Sequence, residues 1–262
     1  MLDKDKLLSH LKRDDEKIIG DKILDKAELV LKRHKEQSTE FLNPFQRRMG
    51  TNIIKQISDI NYREDGGYKK AERKRITVFP DYLFPDHVDI PISIFKIKGN
   101  FNFCPVNHRD FLGALMGLGI KREMIGDLLI MDDFAQVIIA EEIKEDVTLR
   151  LNKVNEVPVE VEEIDKKDIV IPTQNKKEIK ATVASMRLDA VASAGFGDSR
   201  NKISSEIKNE KVKLNWRPER DPAQDVNVGD MISLRGRGRV EIAEERGLSN
   251  RGRIKLLLKR YT

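Results

Sequence analysis

Cysteine is almost absent from this chain of 262 residues: Cys104 stands alone. No intrachain disulfide is possible, and a reducing compartment is the expected setting. Cys104 has no cysteine–histidine nucleophile context, so it is expected to be a small buried apolar residue. Aromatic residues make up only 6% of the chain, which leaves little material for base-stacking platforms. No apolar run reaches the roughly 18 residues needed to cross a bilayer. The opening Met1-Leu2-Asp3-Lys4-Asp5 is charged and lacks the apolar centre of a signal peptide. Together these point to the cytoplasm, with no membrane partner.

Histidine is scarce as well, with four in all. Asp86-His87-Val88-Asp89 has no second histidine or cysteine at a ligand-like spacing, so a surface loop is expected there and no metal. His108-Arg109-Asp110 has the letters of a kinase catalytic loop, but the required asparagine is replaced by Leu115, and no Asp-Phe-Gly or glycine-rich loop accompanies it. It reads either as a helix start or as a contact patch formed by Arg109 with Lys121 and Arg122. No cofactor loop or catalytic triad is present, so no cofactor and no enzymatic activity are expected.

Charge is abundant, at 35% of residues, and its placement is uneven. From Ala181 to Thr262 there are 17 basic and 11 acidic residues, a net of +6, while the remainder nets −1. A basic end of this kind is the footprint of a nucleic-acid binder, although a solvated basic face has the same composition.

Three segments follow from the apolar patterning, at 1–75, 76–173 and 181–262, and the fold class is α+β. The first reads as mostly helical, with Leu7, Leu8, Leu11, Ile18 and Ile19 in one helix and Ile23 to His34 in another. Asn43-Pro44-Phe45-Gln46 is a helix start with a capping box. The second alternates strands and helices in the order β-β-α-β-β-α-β, a small sandwich with helices on one face. It is RNA-recognition-motif-like but lacks that family's aromatic signature. Ile171 to Lys180, with Gln174 and Asn175, reads as a linker.

In the third segment a short helix opens at Arg187-Leu188-Asp189 and closes at Gly195. Asp198 is read as the cap of a second helix, Ser199 to Asn209, with Ile203 and Ile207 as its buried ridge. A strict alternation then puts Val212, Leu214 and Trp216 on a core face, and Lys211, Lys213, Asn215 and Arg217 on an exposed one. Arg235-Gly236-Arg237-Gly238-Arg239, if extended, places three arginines on one side. Guanidinium groups suit bidentate phosphate contacts. The candidate RNA-binding set is Arg187, Ser199, Arg200, Lys202, Lys208, Lys213, Asn215, Arg235, Arg237 and Arg239.

Arg187-Leu188-Asp189, Asp198 to Lys202, Val212 to Asn215 and Val228 to Ile232 resemble the S-four RNA-binding domain, named for a small-subunit ribosomal protein. That domain usually has glycine before the strand, where this chain has Glu210-Lys211, and glycine after the asparagine, where it has Trp216. Upstream, Phe41-Leu42-Asn43-Pro44, Gly66-Gly67-Tyr68 and His108 through Arg122 are similar to the bacterial YlmH family. The resemblance implies an N-terminal helical domain, an RNA-recognition-motif-like middle and a C-terminal S-four (αL) domain. It also implies a monomer binding structured RNA, rRNA and possibly tRNA, on the large ribosomal subunit, in quality control of stalled peptidyl-tRNA. A cell-division link belongs to the same resemblance. Two other readings stay open: an RNA-modifying enzyme with its site in the middle domain, and a division-linked adaptor.

Overall fold

The capping box read at Asn43 is formed: its side chain accepts from the Gln46 amide, and the Gln46 side chain accepts from the Asn43 amide. In this computed structural model, residues 2–101, 104, 106–173 and 176–261 are described. Gln174 and Asn175 of the expected linker lie outside them. The chain divides into two compact units, Met1–Pro172 and Thr173–Thr262.

The first unit begins with α1 (Lys4–Leu8), α2 (Asp14–Arg33), β1 (Gln37–Ser38), α3 (Pro44–Ile54), β2 (Ile60–Asp65) and β3 (Arg75–Pro80). Ile18 belongs to α2, a single 20-residue helix with three acids in its first turn and Lys32 and Arg33 in its last, as the helix dipole favours. Its buried stripe is Glu16, Gly20, Ile23, Leu24, Ala27 and Val30, which leaves Ile18 on the outer side at 58% exposure. Against the stripe pack Met49, Ile53 and Ile54 of α3 and Ile76 and Val78 of β3. The first strand expected of the middle segment, at Ile76 to Phe79, is therefore β3 and pairs here, in the sheet order β1-β3-β2.

The same unit continues with β4 (Ile92–Gly99), α4 (His108–Gly117), β5 (Ile125–Ile130), β6 (Phe134–Ala140), α5 (Lys144–Arg150), β7 (Lys153–Val154) and β8 (Val157–Glu163). The sheet order is β5-β6-β4-β8-β7, a βαββαβ arrangement to which the short β7 is added as a hairpin partner of β8. Phe111, Leu115 and Val147 of the two helices cover Phe95, Ile97, Val137 and Ile139. The opposite sheet face is also occupied: Phe41, Tyr68, Ile164 and Ile169 pack over Ile94, Ile138 and Ala140. Gln136 fastens the following chain there, accepting from the Val170 amide and donating to the Asp168 carbonyl. The face on which RNA-recognition motifs stack bases is thus largely covered. Cys104, expected to be buried, is exposed, because β4 ends at Gly99 and leaves it in a connecting loop.

Arg75, 2% exposed, ties the two parts of this unit together. Its guanidinium donates to the Thr39 and Pro91 carbonyls and to both carboxylate oxygens of Glu142, at 2.6 and 2.7 Å.

The second unit comprises β9 (Lys176–Val183), α6 (Leu188–Phe196), α7 (Arg200–Lys208), β10 (Val212–Leu214), β11 (Arg217–Pro218), β12 (Met231–Leu234), β13 (Gly238–Leu248) and β14 (Ile254–Tyr261). The sheet order is β11-β10-β12-β13-β14-β9. Residues 176–180, read as linker, form an edge strand registered against β14, with Lys176 opposite Tyr261. Ile179, Ala181 and Val183 supply its core side. Leu188, Val191, Ile203 and Ile207 of the helices cover one sheet face, on Val212, Ile232, Val240, Leu256 and Leu258. Helix α6 does not close at Gly195. That residue is buried where a Cβ would lie 2.7 Å from Val240 Cγ1, and Gly197 takes the left-handed position at φ +68°. Ser199 rather than Asp198 caps α7, accepting from the Lys202 amide.

Glu142 illustrates the energetics. Burial pushes its carboxyl up, but the hydrogen bond from Arg75 prevails and the net shift is below the usual range. A carboxyl lowered in the folded state adds stability above its unfolded pKa and loses it as pH falls through the folded value. Glu142→Gln is expected to cost about 1–3 kcal/mol at neutral pH, because it strands the buried guanidinium. The variant's urea midpoint should approach that of the wild type in acid, and a pH-independent difference would contradict this assignment.

Candidate nucleic-acid interface

Asp189 lies in the first turn of α6 at 4% exposure and gathers two arginines. Arg200 makes a two-pronged contact, Nε to Oδ2 at 2.9 Å and Nη2 to Oδ1 at 3.0 Å; Arg187 approaches at 3.2 and 3.3 Å. Burial pushes the Asp189 carboxyl up, but the hydrogen bonds from Arg200 and Arg187 outweigh it and hold the group below its ordinary range. The same pairing raises Arg200.

Asp198, in the turn between the helices, organises a second group. Lys202 reaches it at 2.9 Å and Arg237 at 2.7 Å, while Arg237 also donates to the Phe196 carbonyl. The Lys202 hydrogen bond is the main reason that the Asp198 carboxyl is lowered. Between α7 and the β12–β13 turn lies an open groove of about 450 Å3, lined by Asp198, Lys202, Glu206, Lys211, Leu234, Arg235 and Arg237. Four cations face two acids. Arg235 has no ion-pair partner among the described residues; its amide donates to the Lys211 carbonyl, which fixes the turn beside the helix.

The candidate residues do not form one surface. Arg187, Arg200, Lys202, Arg235 and Arg237 gather around Asp189, Asp198 and the groove, joined by the first turn of α7. Ser199 caps that turn, and Lys208 is exposed at the other end of the helix. Lys213 and Arg239 lie in one cross-strand row through Ser233, on the sheet side away from the helices, because Ile232 and Leu234 take the core side of β12. The arginine–glycine segment is ordered but not extended. Gly236 and Gly238 have φ of +80° and +84° and fold it into a hairpin turn, which sends Arg237 back to Asp198.

The exposed ribbon expected from Lys211 to Arg217 is also corrected. Asn215 and Trp216 have φ of +50° and +67° and form the two-residue turn between β10 and β11. The alternation therefore stops at Leu214, and Trp216 is half-buried rather than core, with the Arg239 guanidinium 6.0 Å from its ring. Asn215 is committed to the turn: it donates to Asp230 at 2.7 Å and accepts from the Met231 amide at 2.9 Å.

In the other patch, Arg109 and Lys121 are exposed, but Arg122 is half-buried and donates to the Ile125 and Gly126 carbonyls. His108-Arg109-Asp110 is a helix start, with Asn107 and Asp110 forming a capping box. Sequence reasoning missed Lys211 as a groove residue and Arg260 behind it. The Arg260 guanidinium lies 5.6 Å from the Phe196 ring and donates to the Arg237 carbonyl. The available signal was a cation in core phase with Leu256 and Leu258.

Three family models match. Residues 16–83 match one described as "YlmH, N-terminal", 85–168 one described as "Putative RNA-binding domain in YlmH", and 186–232 the S4 domain. Ribosome-associated protein quality control protein P2 of Bacillus subtilis (strain 168) is 33% identical over 248 residues, covering 95% of this chain and 96% of that protein. The chain belongs to the YlmH family. A solved structure, cell division protein ylmH from Streptococcus pneumoniae, superposes with a TM-score of 0.53 at 25% identity, covering 61% of this chain and 96% of that one.

At both positions where S-four domains usually have glycine, this YlmH protein keeps the glycine conformation without the glycine: Glu210 has φ +56° and Trp216 φ +67°. A left-handed conformation costs an L-residue about 1–2 kcal/mol. The exposed Glu210–Arg220 pair at 2.7 Å offsets little of that. Glu210→Gly is expected to raise unfolding stability by about 0.5–1 kcal/mol, the strain relief less the added chain entropy; a lower urea midpoint would contradict it. Asp189→Asn should cost about 1–3 kcal/mol at neutral pH and little in acid, where the native carboxylate is protonated. An equal loss at both pH values would show that packing, not charge, sets the effect.

Proposed function

We propose that this YlmH protein is a non-catalytic RNA-binding factor that docks on the large ribosomal subunit and acts in quality control of stalled peptidyl-tRNA. The observation that carries this reading is the groove between α7 and the β12–β13 turn, where Lys202, Lys211, Arg235 and Arg237 converge. The unit holding it, Thr173–Thr262, has 20 basic and 12 acidic residues, a net of +8. Phosphates of structured RNA would enter between the helix and the turn. They would displace Asp198 from Lys202 and Arg237 and use Arg235 directly, while Arg187 and Arg200 extend the track. Such contacts position the duplex; shape and 2′-hydroxyls select it. The name of the Bacillus subtilis relative, which aligns over 95% of this chain, supports the ribosomal setting. Because Lys213 and Arg239 face the other way, they are not part of this track.

The test is binding to purified large subunits and to labelled rRNA fragments across a salt series. The double variant Lys202→Ala with Arg235→Ala should bind about tenfold more weakly near 150 mM salt. Its slope of log K against log salt should be shallower by about two, one for each lost phosphate contact. Lys213→Ala should change neither. Unaltered binding by the double variant, or no association of the wild type with large subunits, would overturn the reading.

A further inference from the structure

In the unit Met1–Pro172, a cavity of about 240 Å3 opens between α2 and the chain from Thr39 to Asn43. Helix α2 offers it a stripe one turn apart per step: Ile18, Lys22 and Lys26, with Ile19 beside them. This stripe lies off the core-facing one, which explains an isoleucine left 58% exposed at the cavity mouth. The other wall carries Arg73 and Arg122, two half-buried arginines whose charges repel each other, with Glu123 beside them.

Their bonding is unusual for partly buried cations. Arg73 donates to the Ile125 and Phe41 carbonyls at 3.0 and 2.8 Å, and Arg122 donates to the same Ile125 carbonyl. Neither makes an ion pair with a carboxylate among the described residues. Asp127 is nearby but accepts from the Tyr68 hydroxyl and the Glu72 and Arg73 amides instead. Burial, reinforced by the neighbouring Arg122, lowers Arg73 to about 10. Glu72, Glu123 and Asp127 offset part of that through space, but no carboxylate bonds either guanidinium directly. Two partly buried guanidiniums held only by carbonyls are costly, and an anion entering the cavity would relieve that cost. At the rim, Lys26 has no ion-pair partner among the described residues, and Lys22 meets Glu40 only at 3.5 Å.

We infer that this cavity is a phosphate site for a ligand the size of a phosphorylated pentose. The phosphate lies on Arg73 and Arg122, the rim lysines draw it in, and the sugar rests against Ile18 and Ile19. A cavity somewhat below the usual roughly 300–1,000 Å3 of drug-sized sites suits so small a ligand. The same chemistry belongs to a free sugar phosphate and to one nucleotide unit of an RNA strand.

Calorimetric titration of the full chain with inorganic phosphate, ribose 5-phosphate and a single-stranded hexaribonucleotide separates these sources. Lys26→Glu and Arg122→Gln are each compared with wild type, with thermal melts to check folding. Ribose 5-phosphate binding that weakens about tenfold or more in Lys26→Glu supports a free ligand. Binding of the hexanucleotide alone, equally sensitive to Lys26→Glu but retained in Lys202→Ala with Arg235→Ala, supports an RNA unit. Should Arg122→Gln fail to fold, the surface variant Lys26→Glu decides. The site is refuted if no probe binds the wild type, or if binding ignores these substitutions. Because the groove variant leaves the cavity intact, this result is independent of the rRNA docking reading.

Discussion

Asp189 holds two guanidiniums from a position that water hardly reaches, and the geometry of the C-terminal unit follows from that attachment. A surface built to receive a polyanion has to keep like charges together before the polyanion arrives. Arg187 and Arg200 repel each other, and long side chains lose rotamer freedom when fixed. The buried carboxylate solves both problems: it screens the pair and sets each guanidinium by paired hydrogen bonds. Asp198 does the same for Lys202 and Arg237. On the proposed reading each acid lowers the net charge offered to RNA, so part of the affinity would be exchanged for preorganisation.

The hairpin turn at Arg235–Gly238 completes this arrangement. Its two left-handed glycines reverse the chain tightly enough for Arg237 to reach back to Asp198 and the Phe196 carbonyl. Arg260 sits beneath, against the Phe196 ring. The groove therefore has one wall from a helix and one from a turn, and the turn is braced by Arg260, which does not line the groove.

The first unit handles charge differently. Its RNA-recognition-motif-like sheet is covered on both sides, by α4 and α5 on one and by Phe41, Tyr68 and Ile169 on the other. Arg75 shows how a buried cation is made tolerable, through a two-pronged carboxylate and two carbonyls. Arg73 and Arg122 have the carbonyls but no such carboxylate, and that contrast singles out their cavity.

Local patterning carried much of the fold. The capping box at Asn43, the ridge of Ile203 and Ile207, and most of the middle domain's alternation of strands and helices depend on neighbours a few residues apart, and periodicity reports those directly; that the first expected strand, at Ile76 to Phe79, pairs in the N-terminal sheet depends on distant partners. The crowding of positive charge toward the C-terminal end is likewise a property of composition. What the sequence could not decide was direction. Asn215 and Trp216 carry no glycine to announce a turn, so an alternation continued on paper past the point where the chain reverses. Arg122 and Arg239 look like ordinary surface cations until the packing of β5 and β12 turns one inward and the other to the far side of the sheet. Which cations share a groove depends on long-range register between strands and on carboxylates far away in sequence. Only the folded chain brings those together, because burial and hydrogen-bond geometry are properties of its tertiary packing and not of any local stretch.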